Sequence, residues 1–337
     1  LYAARDERAG CWWLLSLVHH LIADAQSMEL LREEVEAILA GRAEELLRPV
    51  PFRTFIARTV AAAASDHEAY FRAMLADVTE GTAPFGLRHL NDGESLTTAT
   101  ELLDEALCRR IRRRAQTLGV SPATLFHAAW ALVAAKTTAR SDVVFGTVLF
   151  GRLQAGAEAD RAIGIFLNTL PLRVALGEDT VEQVVRRVSE SLAELIRHEH
   201  APLTLAQRCS GVAFPQPLFT SLFNYRHASR PLSTAAGDAD AASGGPAVRS
   251  VEGRTNYPLS VSVDDDGVGF ELTADAPAAI GAERICATLR TALYSMVASL
   301  EARPDEPMMR LGILDEAERH QVLHGWGGGA LPYEHPH

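Results

Sequence analysis

Lysine is almost missing from this chain: Lys136 is the only one, so arginine supplies nearly all of the 32 basic residues set against 43 acidic ones. A net charge of −11 argues against a polyanionic partner, nucleic acid included, and none is expected. Cysteine is scarce as well. Cys11, Cys108, Cys209 and Cys286 stand far apart in the 337 residues and match no metal-ligand spacing; Cys11, Cys108 and Cys286 lie in apolar or amphipathic runs that suit free thiols. No apolar run approaches the roughly 20 residues of a membrane span, and no secretory signal is recognisable. These absences predict a soluble, cytoplasmic protein with no metal and no membrane partner.

What remains is ordinary globular material, 47% hydrophobic and 22% charged, enough for one large domain or two lobes. Both ends read as cut. The chain opens on Leu1, and the turn-rich Leu331–His337 closes no element, so its histidines read as a flexible tail.

Residues 11–18 predict a buried strand. Met28, Leu31, Val35 and Ile38 recur at helical spacing and predict a helix from about Ser27, its cap, to Leu39, stopped by Gly41. A second helical region covers about 52–79, and 86–100 reads as a linker or lobe crossing. Leu103 to Leu118 forms a helix closed by Gly119. Ser121-Pro122 restarts another, apolar nearly all round and therefore a core helix, with Trp130 in the core. Strands follow at 142–149 and 219–225, helices at 180–198 and 281–301, a low-complexity loop at about 228–250, and a hairpin around Asp264-Asp265-Asp266-Gly267. Strands alternating with long helices make the class α/β.

The chemistry concentrates at His19-His20-Leu21-Ile22-Ala23-Asp24-Ala25. Adjacent strand residues face opposite ways, so one imidazole can face a cavity while the other packs into the scaffold. Asp24, at a helix entry, is placed to organise the loop or to take an ionic partner. Adjacent histidines on a strand do not easily share one zinc ion. By chance alone, this pattern turns up in about one chain in forty of such composition.

Other blocks accompany it in order: Val143–Thr147 with Gly151-Arg152; Ile163-Gly164-Ile165-Phe166-Leu167-Asn168-Thr169-Leu170-Pro171-Leu172-Arg173; His198-Glu199-His200; Pro217-Leu218-Phe219 to Tyr225; Thr255–Leu259; and Leu314–Arg319 to Trp326. Together these resemble the condensation domains of nonribosomal peptide synthetases, His19–Ala25 standing for the His-His-x-x-x-Asp-Gly motif. The resemblance implies a two-lobed chloramphenicol-acetyltransferase-like fold with the first lobe incomplete: residues 1–95 a partial N-terminal lobe, 96–313 the C-terminal lobe, 314–337 the start of a linker to an adenylation domain. It implies an acyltransferase that forms amide bonds, with upstream and downstream peptidyl carrier domains and an adjacent adenylation domain as partners. No cofactor is bound directly; substrates arrive as phosphopantetheine thioesters. His20 is implied as the catalytic residue, His19, Asp24 and Ala25 as its supports, and Asn168 and Arg173 as tunnel or lobe-contact residues.

The chain departs from the pattern at Ala25, where the motif has glycine; a backbone compatible with alanine is expected. The family's N-terminal arginine motif, which helps support the aspartate, is absent. Asp24 is therefore expected to lack its ionic partner, and the isolated chain to be unstable in its first lobe and inactive. The run Arg109, Arg110, Arg112, Arg113, Arg114 is expected to be a solvated helix face, with carrier docking as the lesser reading. The same superfamily also offers epimerisation domains, stand-alone acyltransferases and a catalytically silent docking domain. Substrates and stereochemistry are not legible.

Overall fold

The computed structural model describes residues 1–19, 21–61, 64–88, 95–152, 158–227 and 255–325. It divides into two compact units. Of the described residues, the first contains those of Leu1–Ala64 and Phe150–Asn168; the second takes those of Ser65–Leu149 and all from Thr169 onward. By compactness the described residues of 65–88 group with the later chain, and Phe150–Arg152 with 158–168 group with the first unit, a grouping other than the lobe boundary expected at 95/96.

In the first unit, β1 (Tyr2–Asp6) and β2 (Cys11–Leu15) form an antiparallel ladder from Tyr2 opposite Leu15 to Asp6 opposite Cys11. Its turn holds the amides of Arg8 and Ala9 on the Asp6 carboxylate at 2.9 and 3.0 Å. The strand expected over 11–18 thus forms, but it stops at Leu15 and is exposed throughout. A two-stranded sheet has no second layer of its own to bury an apolar face, so Trp12 stays 70% exposed. Next comes α1 (Ala25–Leu39), its N-cap Asp24 rather than the expected Ser27, with Gly41 past its end at φ +72°. After α2 (Arg53–Ala61), a small core gathers Phe55, Ala159, Ala162 and Phe166, with Val50 and Phe52 against it.

The second unit begins within α3 (Ala64–Leu75) and contains a six-stranded sheet. Its elements are β3 (Leu96–Leu102), α4 (Glu105–Leu118), α5 (Pro122–Thr138), β4 (Asp142–Phe150), β5 (Leu167–Ala175), α6 (Val181–Arg197), α7 (Leu203–Arg208), β6 (Ser221–His227), β7 (Leu259–Asp265), β8 (Phe270–Pro277), α8 (Ala282–Ala302) and α9 (Glu316–His320). The strand order is β3-β8-β7-β6-β4-β5. β6 runs parallel to β4 and to β7, while β8 is antiparallel to β7 and β3. Part of the stretch read as a linker is therefore an edge strand: Leu96 to Leu102 pair with Pro277 back to Glu271, which suits their threonine-rich alternation. Residues 89–94 of that stretch lie outside the described residues.

The core helix is as expected. Every residue of α5 from Thr124 to Ala135 is buried, Trp130 among them, and Ser121 caps it. A run apolar on all sides has no face to offer water, so neighbours must cover the whole of it. The arginine run on α4 is mostly spent within the molecule: Arg109 pairs with Glu105, Arg110 and Arg114 with Glu301, and Arg112 with the buried Asp265. The expected loop at 228–250 and the tail from Trp326 lie outside the described residues; α9, capped by Asp315, forms the start of the segment read as a linker.

Candidate active site

His20 lies outside the described residues; its surroundings are described. Before it, His19 closes a turn: its carbonyl accepts from the Ile22 amide at 3.0 Å, and its Nδ1 accepts from the Leu21 amide at 3.1 Å. That turn leads straight into Asp24, whose Oδ1 accepts from the Ser27 amide at 2.8 Å and so caps α1.

Asp24 is 3% exposed and does not lack an ionic partner. Arg152 reaches both its oxygens, at 2.8 and 3.1 Å, so the expected unpaired carboxylate is corrected. The pairing joins positions 128 residues apart, and nothing in the local pattern announces it; the available signal was Gly151-Arg152, one of the blocks that accompany the histidine motif. Arg152 also donates to the carbonyls of Ala159 and, at 3.0 Å, Ala162, and its guanidinium lies 4.1 Å from the centre of the Phe166 ring. Phe166 is held edge-on by Phe52 and Phe55, and its amide donates to Asp24 Oδ2 at 3.2 Å.

Ser27, read as a cap, is fully buried in the same cluster. Its Oγ lies 2.7 Å from Asp24 Oδ1 and 2.8 Å from the Gly164 carbonyl, and it accepts from the Gly164 amide at 3.0 Å and Arg152 at 3.1 Å. Burial pushes the Asp24 carboxyl upward, but the Ser27 hydroxyl, Arg152 and the Ser27 amide outweigh it and hold the group below the ordinary carboxylate range. A charged, fully partnered carboxylate thus sits four residues after His20. Ala25 occupies the first turn of α1, exposed and with no positive φ, which meets the expectation of a backbone compatible with alanine.

The structure does not gather every predicted residue here. Asn168 is half-buried on β5. Arg173 clamps the second unit: it holds Asp142 at the start of β4 at 2.6 Å, Asp77 at 2.6 and 2.8 Å, and the Met74 carbonyl at 2.7 Å. His198, past the end of α6, stacks on Tyr70 with ring centres 4.1 Å apart, its Nδ1 2.8 Å from His67 Nδ1. Two facing ring nitrogens need one proton between them, so this contact fastens α6 to α3. Among the described residues, no cluster suits a metal ion and no single helix is long and apolar enough to cross a membrane.

Comparison with known proteins agrees with this geometry. Malpibaldin synthetase of Mortierella alpina is 40% identical over 321 residues, 94% of this chain and 6% of that protein. Malpinin synthetase of the same organism is 42% identical over 334 residues, 98% of this chain and 4% of that protein. The chain therefore spans about a twentieth of these relatives. Among solved structures, the first condensation domain of the calcium-dependent antibiotic synthetase, in complex with a substrate analogue, superposes with a TM-score of 0.68 at 22% identity, covering 88% of this chain and 68% of that one. The condensation domain of the Monacolin K polyketide synthase MokA gives 0.65 at 20%, covering 86% and 69%. The fold is thus the chloramphenicol-acetyltransferase-like one, and since the condensation-domain family model matches residues 4–323, the chain belongs to the condensation-domain family.

Proposed function

We propose that this domain forms peptide bonds within a nonribosomal peptide synthetase. The amine of an acceptor aminoacyl thioester attacks the donor thioester carbonyl; the C–N bond forms, the C–S bond breaks, and the donor carrier leaves as its thiol. Both substrates arrive on phosphopantetheine arms of carrier domains, with an adenylation domain alongside, in the cytoplasm.

The observation that carries this reading is the buried Asp24–Arg152–Ser27 cluster immediately after the histidine pair. A fully partnered carboxylate at the entry to α1, four residues after His20, supports this reading, since an imidazole acting at a set position requires an anchored neighbour. A thioester is already activated, and a free α-amine has a pKa of about 7.7–8.0, so a strong base is unnecessary. His20 takes the proton released as the amine attacks, or orients the amine and stabilises the tetrahedral intermediate. His19 and Asp24 hold the loop. Asn168 shapes the tunnel.

The test is a transfer assay on the intact module, with donor and acceptor carriers separately loaded. The expected product is one amide-linked chain on the acceptor carrier. An acceptor residue inverted without lengthening means epimerisation. Carrier binding without transfer means a docking domain. Either result contradicts the proposal.

A further inference from the structure

We infer that Ser27 is a positioning residue for this reaction, locking the histidine loop to the segment Gly164–Phe166 through its hydroxyl. The inference rests on the proposed function and adds to it a residue that never meets substrate.

The hydroxyl is crowded by partners that one Oγ can only just satisfy. The Gly164 amide and Arg152 donate to it, and its single proton goes either to Asp24 Oδ1 at 2.7 Å or to the Gly164 carbonyl at 2.8 Å. Ser27 thereby touches both ends of the loop's support, the carboxylate that caps α1 and the guanidinium that neutralises it. The far side of Gly164 is closed: a Cβ there would sit 2.2 Å from Phe52 Cδ2. The Gly164 backbone is thus gripped between the Phe52 ring and the Ser27 hydroxyl, and Phe166, two residues on, bonds Asp24 through its own amide. A cap could do its work from an exposed position; Ser27 is completely buried and bonded across 137 residues of sequence. Its hydroxyl, at 2.7 Å from Oδ1, is one of the bonds that hold the Asp24 carboxyl down against burial, so its removal should let Asp24 take up a proton at higher pH and loosen the grip of Arg152.

The experiment measures single-turnover transfer between two loaded carriers in the intact module, across pH, for the unaltered protein, Ser27→Ala and His20→Gln. For Ser27→Ala we expect kcat to fall about 10- to 100-fold, as a small misplacement of a catalytic group would cause, with the acceptor KM little changed. The acid limb of the rate profile should move to higher pH, which a role in packing alone would not produce. Should Ser27→Ala not fold, Ser27→Cys, close in volume and a weak hydrogen-bond donor, takes the same readouts. Unchanged kcat, a raised KM alone, an unmoved acid limb, or loss of folding in both variants overturns the inference. If His20→Gln leaves transfer unaffected, the proposed function fails first, and the two failures are told apart.

Discussion

The side chain at position 25 shows how one substitution within a motif is decided by backbone geometry. Glycine is required where φ is positive or where another group approaches closely; Ala25 meets neither condition, lying exposed in the first turn of α1. Ala25→Gly should therefore leave transfer within about two-fold and lower stability by about 0.5–1 kcal/mol through added backbone freedom, read by urea denaturation alongside the transfer assay. A large gain in turnover would contradict this. Arg152 is the opposite case. Its removal strands a buried Asp24, a loss of about 3–5 kcal/mol for such pairs, so Arg152→Ala should melt well below the unaltered protein and Arg152→Lys only partly restore it. Asp24 was legible in the sequence as a carboxylate at a helix entry, four residues after the histidine pair, although the cap was assigned to Ser27. Its partner was not, because an ion pair spanning 128 residues leaves no periodicity. Ser27 was misread for a related reason: Asp24 and Ser27 both suit a cap, and only the buried contacts with Gly164 choose between them.

At the scale of elements, legibility followed how far each one depends on its own sequence. The helix α5 could be read whole, because a cap, a first-turn proline and a run apolar all round specify a buried helix without reference to its neighbours. It carries one polar anomaly, His127, fully buried among aromatic rings. The Ala123 carbonyl 2.7 Å from Nδ1 can only accept, so Nδ1 carries the proton, and Nε2 accepts from Thr147 Oγ1 at 2.8 Å. Burial drives its pKa from 6.5 down to about 4. Because the folded value is the lower one, the unfolded chain binds the proton more readily; stability is complete above about 6.5 and is lost as pH falls toward 4. The loss should reach about 3 kcal/mol, seen as a falling urea midpoint that His127→Gln flattens over that window. The strands β2 and β3 were harder. A strand's burial depends on which layer covers it, and the composition of Cys11–Leu15 is that of a buried strand although it lies open on both faces. With Trp12 and Trp13 exposed there and Trp130 buried, quenching by iodide should reach part of the tryptophan emission, and Trp12→Ser with Trp13→Ser in a Trp326→Phe background should strongly reduce that quenchable share. An emission wholly protected from iodide would contradict the exposed hairpin.

Across the whole molecule, the order of the sequence blocks identified the family before any geometry was in hand, and the α/β class and condensation-domain fold follow the expectation. The grouping into compact units is a different division from the lobes that the resemblance implies. The first unit draws residues 150–168 back from far along the chain, and that return brings Arg152 and Phe166 to Asp24. A motif that looks local is thus completed by a segment more than a hundred residues away. The measurement that bears most directly on this reading is single-turnover amide formation between two loaded carriers in the intact module, comparing His20→Gln with His19→Gln. His20→Gln should lose about 10²–10⁴-fold, the usual worth of a positioned acid or base, while His19→Gln, which removes only a turn-closing contact, keeps most of the rate. Near-normal transfer by His20→Gln, or an equal loss in both, would contradict the assignment of the reaction to His20.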